Sequence, residues 1–251
     1  MKRANKWLGT VLFFIPVLCL LVVWAISSAI IDNEYILPSI GETFNALLSI
    51  LQSGEFYYSL LSTLLRSLIA FLISFILATI LAYIANQFKK VERIIMPFIS
   101  IMRALPTIAV VLLLLFWTNS QVAPVIVTML VVFPTLYTSS KTAFDGVDKQ
   151  VLEIGAVAGA DRKAIFKNII FPISLPDILI EIGAGISLNI KLMVAAEVLS
   201  ATANSIGYLL NTSKAYFEVA SLMALVSICV VIGVVVEVVF NKISSKVGEW
   251  R

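Results

Sequence analysis

Four charged side chains set in apolar surroundings carry most of the chemical potential of this sequence: Arg66, Arg103, Lys191 and Glu197. A charge at the centre of a membrane span costs about 2.5–3.5 kcal/mol on insertion scales, so each needs a partner or water. Lys191 lies fifteen residues beyond Pro176, about 22 Å along a helix. Glu197, six residues further on, leaves a different helix face. Lys191 is therefore expected to find a partner on another span or an aqueous pathway. Arg66 and Glu197 fall near the same ends of their spans and are expected to pair. Arg103 sits about 14 Å into its span, just before Pro106, where freed backbone often lines a cavity. Asp177 and Glu181, one turn apart, are expected at a wet mouth, and Glu237 at an interface.

Other chemistries are excluded by what the sequence lacks. There is no histidine, hence no imidazole base, relay or ligand. Cys19 and Cys229 lie in apolar runs and read as small hydrophobes, with no metal pair and no disulfide framework. No G-x-x-x-x-G-K-[ST] loop is present to cradle nucleotide phosphates. Paired aspartates, a serine–histidine pair and HExxH are absent from the spans, which disfavours an intramembrane enzyme.

The elements that must position these charges follow from composition. Of 251 residues 60% are hydrophobic and 13% charged, with a mean hydropathy of +1.02. Soluble domains run near 45–50% apolar and roughly 25% charged. A span needs about 20 mostly apolar residues, and six candidates occur, at 8–31, 60–85, 94–117, 122–140, 176–199 and 219–241. The first follows Lys2, Arg3 and Lys6 like a signal peptide, but its apolar run is too long and no cleavage site follows, so it reads as a retained span. Pro106 is expected to kink or break the third. With the N-terminus inside, 14 of the 18 basic residues fall in cytoplasmic segments and Lys214 alone in an outer one. The outer segments carry Asp32, Glu34, Glu42, Glu55 and Glu218. The expected fold is therefore an all-α membrane protein of six transmembrane helices with both termini cytoplasmic. An N-terminal span plus outer segment (1–57) precedes a core transmembrane domain (58–251). Residues 42–54 read as an amphipathic outer helix, against a membrane surface or an outer partner.

The segment 145–178, DGVDKQVLEIGAVAGADRKAIFKNIIFPISLPDI, is too polar to cross a bilayer and too periodic for a plain linker. Asp148 is expected to cap a short helix through Val157. Gly159 is expected to end it with positive φ, and Asp161 to cap a second helix from Arg162 to about Ile170, stopped by Pro172. Such a hairpin would lie on the inner membrane face. It lacks a basic recognition face, so a nucleic-acid partner is not expected. The residues alone leave two readings open, an amphipathic connector or a docking element for a cytoplasmic partner.

This stretch resembles the EAA loop of ABC-importer permeases, E-A-A-x3-G-x9-I-x-L-P. Glu153 stands for the E, Gly159 for the G, and Ile169, Phe171 and Pro172 for I-x-L-P; Ile154 and Gly155 replace the two alanines. Ile36-Leu37-Pro38-Ser39 followed by Glu42, Ser62-Thr63-Leu64-Leu65-Arg66, Arg103-Ala104-Leu105-Pro106, and Ala195-Ala196-Glu197 with Ile206-Gly207-Tyr208 are similar to motifs of its nitrate/sulfonate/taurine branch. The resemblance implies a type I permease fold in which two permease subunits, here expected as a homodimer, form one pathway by alternating access. It implies two cytoplasmic ABC ATPase subunits, an extracytoplasmic solute-binding protein and surrounding membrane lipid in a bacterial cytoplasmic membrane. ATP and Mg would be bound by the ATPases, and no cofactor or metal by this chain. The coupling loop, about 145–175, would engage the ATPase through Glu153, Ile154, Gly155, Gly159, Ala160 and Asp161. Arg66, Arg103, Pro106, Lys191 and Glu197 would belong to the translocation pathway. If Arg103 and Lys191 face it, a small anionic or zwitterionic solute is favoured. The family usually places an apolar residue near Lys191, which is a departure. The alternative is an ion-gradient-driven secondary transporter using Glu181, Glu197 or Glu237. It predicts transport without an ATPase, and no inverted repeat supports it.

Overall fold

The computed structural model describes residues 2–248, with side chains placed from Ile15 onward except at Ala156 and Gly248. Its elements are α1 (Lys2–Ile31), α2 (Ile40–Gln52), α3 (Gly54–Gln87), α4 (Lys89–Ala104), α5 (Thr107–Trp117), α6 (Ala123–Asp145), α7 (Lys149–Val157), α8 (Arg162–Ile165), a π turn (Phe166–Ile170), α9 (Phe171–Leu199), α10 (Ile206–Ala215) and α11 (Val219–Gly248). These divide into two compact units. One takes α1, α2 and the start of α3 with Leu209–Ile228; the other runs from Tyr58 to Tyr208 and adds the chain from Cys229.

In the first unit the turn after α1 is fixed by polar contacts. The Trp24 indole donates to the Pro38 carbonyl at 2.9 Å and the Ser28 hydroxyl to that of Leu37 at 3.3 Å. Ser39 then caps α2. Its hydroxyl accepts from the Glu42 amide at 3.2 Å, and the Glu42 carboxylate accepts from the Ser39 amide at 2.7 Å. That reciprocal capping box satisfies two amides that helix geometry leaves without partners. The Pro-Ser…Glu spacing thus has a local structural purpose. Along α2, Ile40, Phe44, Leu48 and Leu51 form an exposed apolar stripe at helical spacing.

The second unit packs α3, α6 and α9 around Phe71, Leu136, Tyr137, Phe144 and Ile178. Lipid tails supply no hydrophobic drive between spans, so small residues that let backbones approach do the packing. On α3 these are Ala70, Ala78, Ala82 and Ala85, all fully buried. On α9, a Cβ at Gly185 would stand 2.8 Å from a Leu136 methyl, and one at Gly183 would stand 2.6 Å from the Phe240 Cβ.

Among the described residues four helices are long and apolar enough to cross a membrane: Gly54–Gln87, Ala123–Asp145, Arg162–Leu199 and Val219–Val247. These correspond to the second, fourth, fifth and sixth expected spans. For the first, Ile15–Ile31 is an apolar stretch of α1, while the side chains of 8–14 lie outside the described residues.

The break expected at Pro106 in the third span is present. Residues 94–117 are not one helix: α4 and α5 meet at a 94° bend. Proline forces the preceding Leu105 into extended backbone, ψ 126, and Pro106 itself opens α5. The bent pair still carries the chain back along about two thirds of α3. Lys89 follows the C-terminal end of α3, about 34 Å from Arg66 at helical rise, whereas Gln121, just beyond α5, accepts a hydrogen bond from Arg66 at 2.6 Å.

Pro172 does not stop a helix, which corrects the expectation. Arg162 to Leu199 is continuous, so the expected second surface helix is the prolongation of α9. In an α-helix the proline ring strikes the carbonyl four residues back. Here a π turn precedes it: the Phe171 amide bonds the Phe166 carbonyl five residues back, the local adjustment by which a continuous helix accommodates a proline.

Candidate functional site

The loop between α6 and α9 is built from three local signals. Asp148 accepts from the Gln150 amide at 2.9 Å, starting α7. Gly159 takes φ +80 with open space around it, and the Ala160 amide returns to the Gly155 carbonyl at 3.1 Å, ending α7. Asp161 caps α8 by accepting from the Ala164 amide at 2.7 Å. Gly155 is buried for packing: a Cβ there would lie 2.7 Å from Ile169 and 3.4 Å from Ile165. The opposite face of α7 projects Glu153, and Ile154 and Val157 are 70% and 91% exposed. Apolar side chains so exposed on a polar loop are unusual unless something covers them.

The hairpin is rooted in the spans. Phe166, in the π turn, lies 4.3 Å from Tyr83 of α3 and 5.0 Å, edge-on, from Phe144 of α6 by ring centroids. The Ser174 hydroxyl donates to the Ala143 carbonyl at 2.8 Å. The prolongation of α9 thus packs on α3 and α6 through these contacts.

At the other end of the unit, Arg66 and Glu197 do pair, at 2.9 Å, with the Glu197 side chain fully buried. Glu197 also accepts from the Thr63 hydroxyl at 2.8 Å and the Gly207 amide at 3.4 Å, and Thr63 accepts from the Ile206 amide at 3.0 Å. Arg66 reaches Gln121 and the Asn204 carbonyl, and Thr202 donates to the Ser120 carbonyl at 2.7 Å. One polar knot thus joins α3, the α5–α6 turn, the end of α9 and α10. The Ser-Thr-x-x-Arg, Ala-Ala-Glu and Ile-Gly-Tyr stretches converge there.

Residues 72–248 match the family described as binding-protein-dependent transport system inner membrane component. The chain belongs to that family. It is 25% identical over its whole length, and 99% of the relative's, to the formylaminopyrimidine transport permease protein of Halalkalibacterium halodurans. It is 21% identical to the taurine transport system permease protein of Escherichia coli, over 64% of this chain and 58% of that one. In fold it is similar to the inward-facing MetNI methionine ABC transporter, with a TM-score of 0.68 at 14% identity, over 79% of this chain and all of that one. It is thus a multi-pass membrane permease of an ABC importer, with ATP hydrolysis left to a separate ATPase. The ion-gradient alternative finds no support in these matches.

The remaining pathway candidates of the permease are placed as follows. Arg103 ends α4, and its Nη2 donates to the Thr138 hydroxyl at 2.6 Å and the Pro134 carbonyl at 3.3 Å. Pro106 is the hinge of the bent pair. Lys191 is exposed on α9, its stem 3.7 Å from where a Cβ on Gly233 would stand, and no ion pair to it occurs among the described residues. The structure does not bring Arg66, Arg103 and Lys191 into one site. Sequence reasoning missed a second polar cluster. Lys141, buried, pairs with Asp145 and with Glu92 at 3.4 Å; Lys89 pairs with Glu92 at 3.2 Å; Asn86 donates to Asp145 at 2.8 Å. The i,i+4 spacing of Lys141 and Asp145 was a usable signal; Glu92, on another helix, had none. Beside it Asp177 and Glu181 line a cavity of about 380 Å³ with Thr138, Thr142 and Gly146.

Proposed function

We propose that this permease forms half of a transmembrane pathway that admits a small anionic or zwitterionic solute by alternating access. Two copies pair around the pathway, each crossing a bacterial cytoplasmic membrane six times with both termini inside. An extracytoplasmic solute-binding protein delivers the solute, and two cytoplasmic ATPase subunits, holding ATP and Mg, drive the cycle through α7 and its flanking turns: Glu153, Ile154, Gly155, Gly159, Ala160 and Asp161. The single observation that carries this reading is the continuity of α8, the π turn and α9 beneath the exposed Ile154/Val157 face. A short helix with an uncovered apolar face, joined by the Gly159 turn to the prolongation of a spanning helix and packed on it through Gly155, suits a part that is gripped and moved. Arg66 and Glu197 hold the outer end together while Pro106 gives the pathway wall a joint; Lys191 and Arg103 supply the positive charge that favours an anionic group.

The test pairs binding with transport. Ile154→Asp with Val157→Asp, both largely solvent-facing in the free chain, is expected to leave folding intact, abolish co-purification with the ATPase and reduce ATP-dependent uptake in vesicles by at least about tenfold. Retained uptake in that variant, or uptake without nucleotide, would overturn the proposal.

A further inference from the structure

Among the described residues α6 exposes no large apolar side chain, although α3, α4, α5 and α9 around it all do. The uncovered face of its inner half carries Thr135, Thr138, Ser139 and Thr142, spaced i, i+3, i+4 and i+7 as one helical stripe. Thr135 lies twelve residues, about 18 Å, beyond Ala123, so the stripe runs from the middle of the span to its inner end. Thr138 donates to the Pro134 carbonyl at 2.9 Å, but the hydroxyls of Thr135, Ser139 and Thr142 meet no partner among the described residues. In hydrocarbon each would go unsatisfied at about 1–3 kcal/mol, so water, not lipid, covers this face.

The neighbouring helices turn their own polar faces the same way. A cavity of about 430 Å³ between α4 and α6 and one of about 380 Å³ between α6 and α9 are both lined by Thr138, Thr142 and Gly146. They form one trough across three helices, with α6 as its floor. A further cavity of about 580 Å³, lined by Arg93 and Ser100 of α4, shares Glu92 and Met96 with the first. The exposed apolar side chains of α4, Ile94, Phe98 and Ile101, lie on a different face, at i, i+4 and i+7. On α9 the uncovered Asp177, Glu181, Ala184 and Lys191 fall at i, i+4, i+7 and i+14, again one face. Asp177 and Glu181 line the trough, and Lys191 stands ten residues, about 15 Å, further out.

We infer that this trough is the inner half of the solute pathway in the chain, with the Thr135–Thr142 stripe as the surface along which the solute leaves. Hydroxyls both donate and accept, so a small polar solute can exchange hydration water for them one helical turn at a time, without being held at any single point. The inference rests on the transport reading and names the inner wall that this reading requires: α6 as floor, the polar face of α4 on one side and the Asp177/Glu181 face of α9 on the other.

The test uses the chain with its ATPase subunits in inside-out vesicles, Cys19 and Cys229 replaced by alanine and single cysteines added. The near-isosteric Thr135→Cys, Ser139→Cys and Thr142→Cys are expected to react with membrane-impermeant methanethiosulfonate ethylsulfonate at least about tenfold faster than Phe98→Cys and Ile101→Cys on the apolar face of α4, because only a wetted thiol ionises. Lys90→Cys, at an exposed position outside the trough, is the accessible control. ATP with vanadate, which traps the ATPases in mid-hydrolysis, is expected to slow the stripe about tenfold and to leave Lys90→Cys unchanged, since the trough is then shut most of the time. The inference is overturned if the stripe stays unreactive while Lys90→Cys reacts, as a face sealed by lipid or by a second copy would. It is equally overturned if the stripe reacts as fast with trapped nucleotide as without, the behaviour of a wet groove off the pathway. Failure of the transport reading looks different: the chain then holds no ATPase, and labelling of the chain alone, which needs none, still decides whether the stripe is wetted.

Discussion

Glu197 concentrates more of the permease's architecture than any other side chain, because one buried carboxylate accepts from Thr63, Arg66 and the Gly207 backbone. Removing one member of a buried ion pair costs about 3–5 kcal/mol, since the remaining charge stays out of water. Glu197→Gln is expected to lose that much stability, read as a lowered unfolding temperature in detergent. Arg66→Met with Glu197→Met together should cost less than the sum of the single changes, a coupling that a double-mutant cycle measures. Gly207→Ala has no such escape: its Cβ would sit 2.4 Å from the Glu197 Cβ and 2.6 Å from the Val198 amide nitrogen, neither able to swing aside. No folded protein is expected from it. Glu42 is a residue-scale matter of another kind. The Ser39 amide and hydroxyl hold its carboxyl below the ordinary carboxylate range. A depressed folded value means that its contribution to the α2 capping box is complete above the unfolded value and fades as pH falls through the folded one. Acidifying across that window should loosen residues 39–43, seen as faster amide exchange after allowing for its intrinsic pH dependence, and Glu42→Gln should remove that pH step.

The coupling hairpin shows which elements can be read from local sequence and which cannot. Asp148, Gly159 and Asp161 each act within four residues of themselves, so the limits of α7 and the start of α8 were legible in residue type and spacing. Pro172 was misread because its tolerance depends on a π turn, and that turn is held by Phe166 against Tyr83 and Phe144, contacts distant in sequence. The Arg66–Glu197 pair was legible from the cost of an unpaired charge in lipid. The place of Thr63 and Gly207 around it was not, since apolar periodicity does not encode which ends of α3 and α10 meet. The π turn also makes an element-scale prediction. Its five residues, Phe166–Ile170, contain one more than an α-helical turn needs. Deleting the exposed Asn168 should restore α register and turn α7 and α8 about 100° relative to α9. The spans should still fold cooperatively, but at a lowered unfolding temperature, because the deletion turns Ile165 and Phe166 away from the cluster that Ile169 and Ile170 keep. The redirected Ile154/Val157 face should no longer meet its groove, and solute-stimulated ATP hydrolysis should fall to the basal rate. Equal stimulation in the deletion variant would show that the orientation of α7 does not matter to coupling.

At the scale of the whole molecule the question is which side of the membrane each loop occupies, and the 94° bend makes it a sharp one. If α4 and α5 dipped into the bilayer and returned, the turn around Gln121 would share a side with Lys89, and the basic segment Arg162–Lys167 would face outward. Two arguments oppose that. The Gln121–Arg66 hydrogen bond holds the turn in the N-terminal half of α3, about 34 Å along it from Lys89, and Thr202–Ser120 ties the same turn to the end of α9. Lysine and arginine near span ends favour the cytoplasmic side, and a dip would put the richest basic segment, Lys149 to Lys167, on the wrong one. The bent pair is therefore expected to be a crossing with a joint. Cysteine labelling decides it. With Cys19 and Cys229 replaced, Gln121→Cys and Tyr216→Cys should react in intact cells with a membrane-impermeant maleimide, whereas Val157→Cys and Lys90→Cys should react only after permeabilisation. Because Gln121 is engaged by Arg66, Asn119→Cys in the same turn serves as a second reporter. Labelling of Val157→Cys from outside, with Asn119→Cys protected, would mean that α4 and α5 form a re-entrant hairpin, and the inward placement of α7 on which ATPase coupling depends would fall with it.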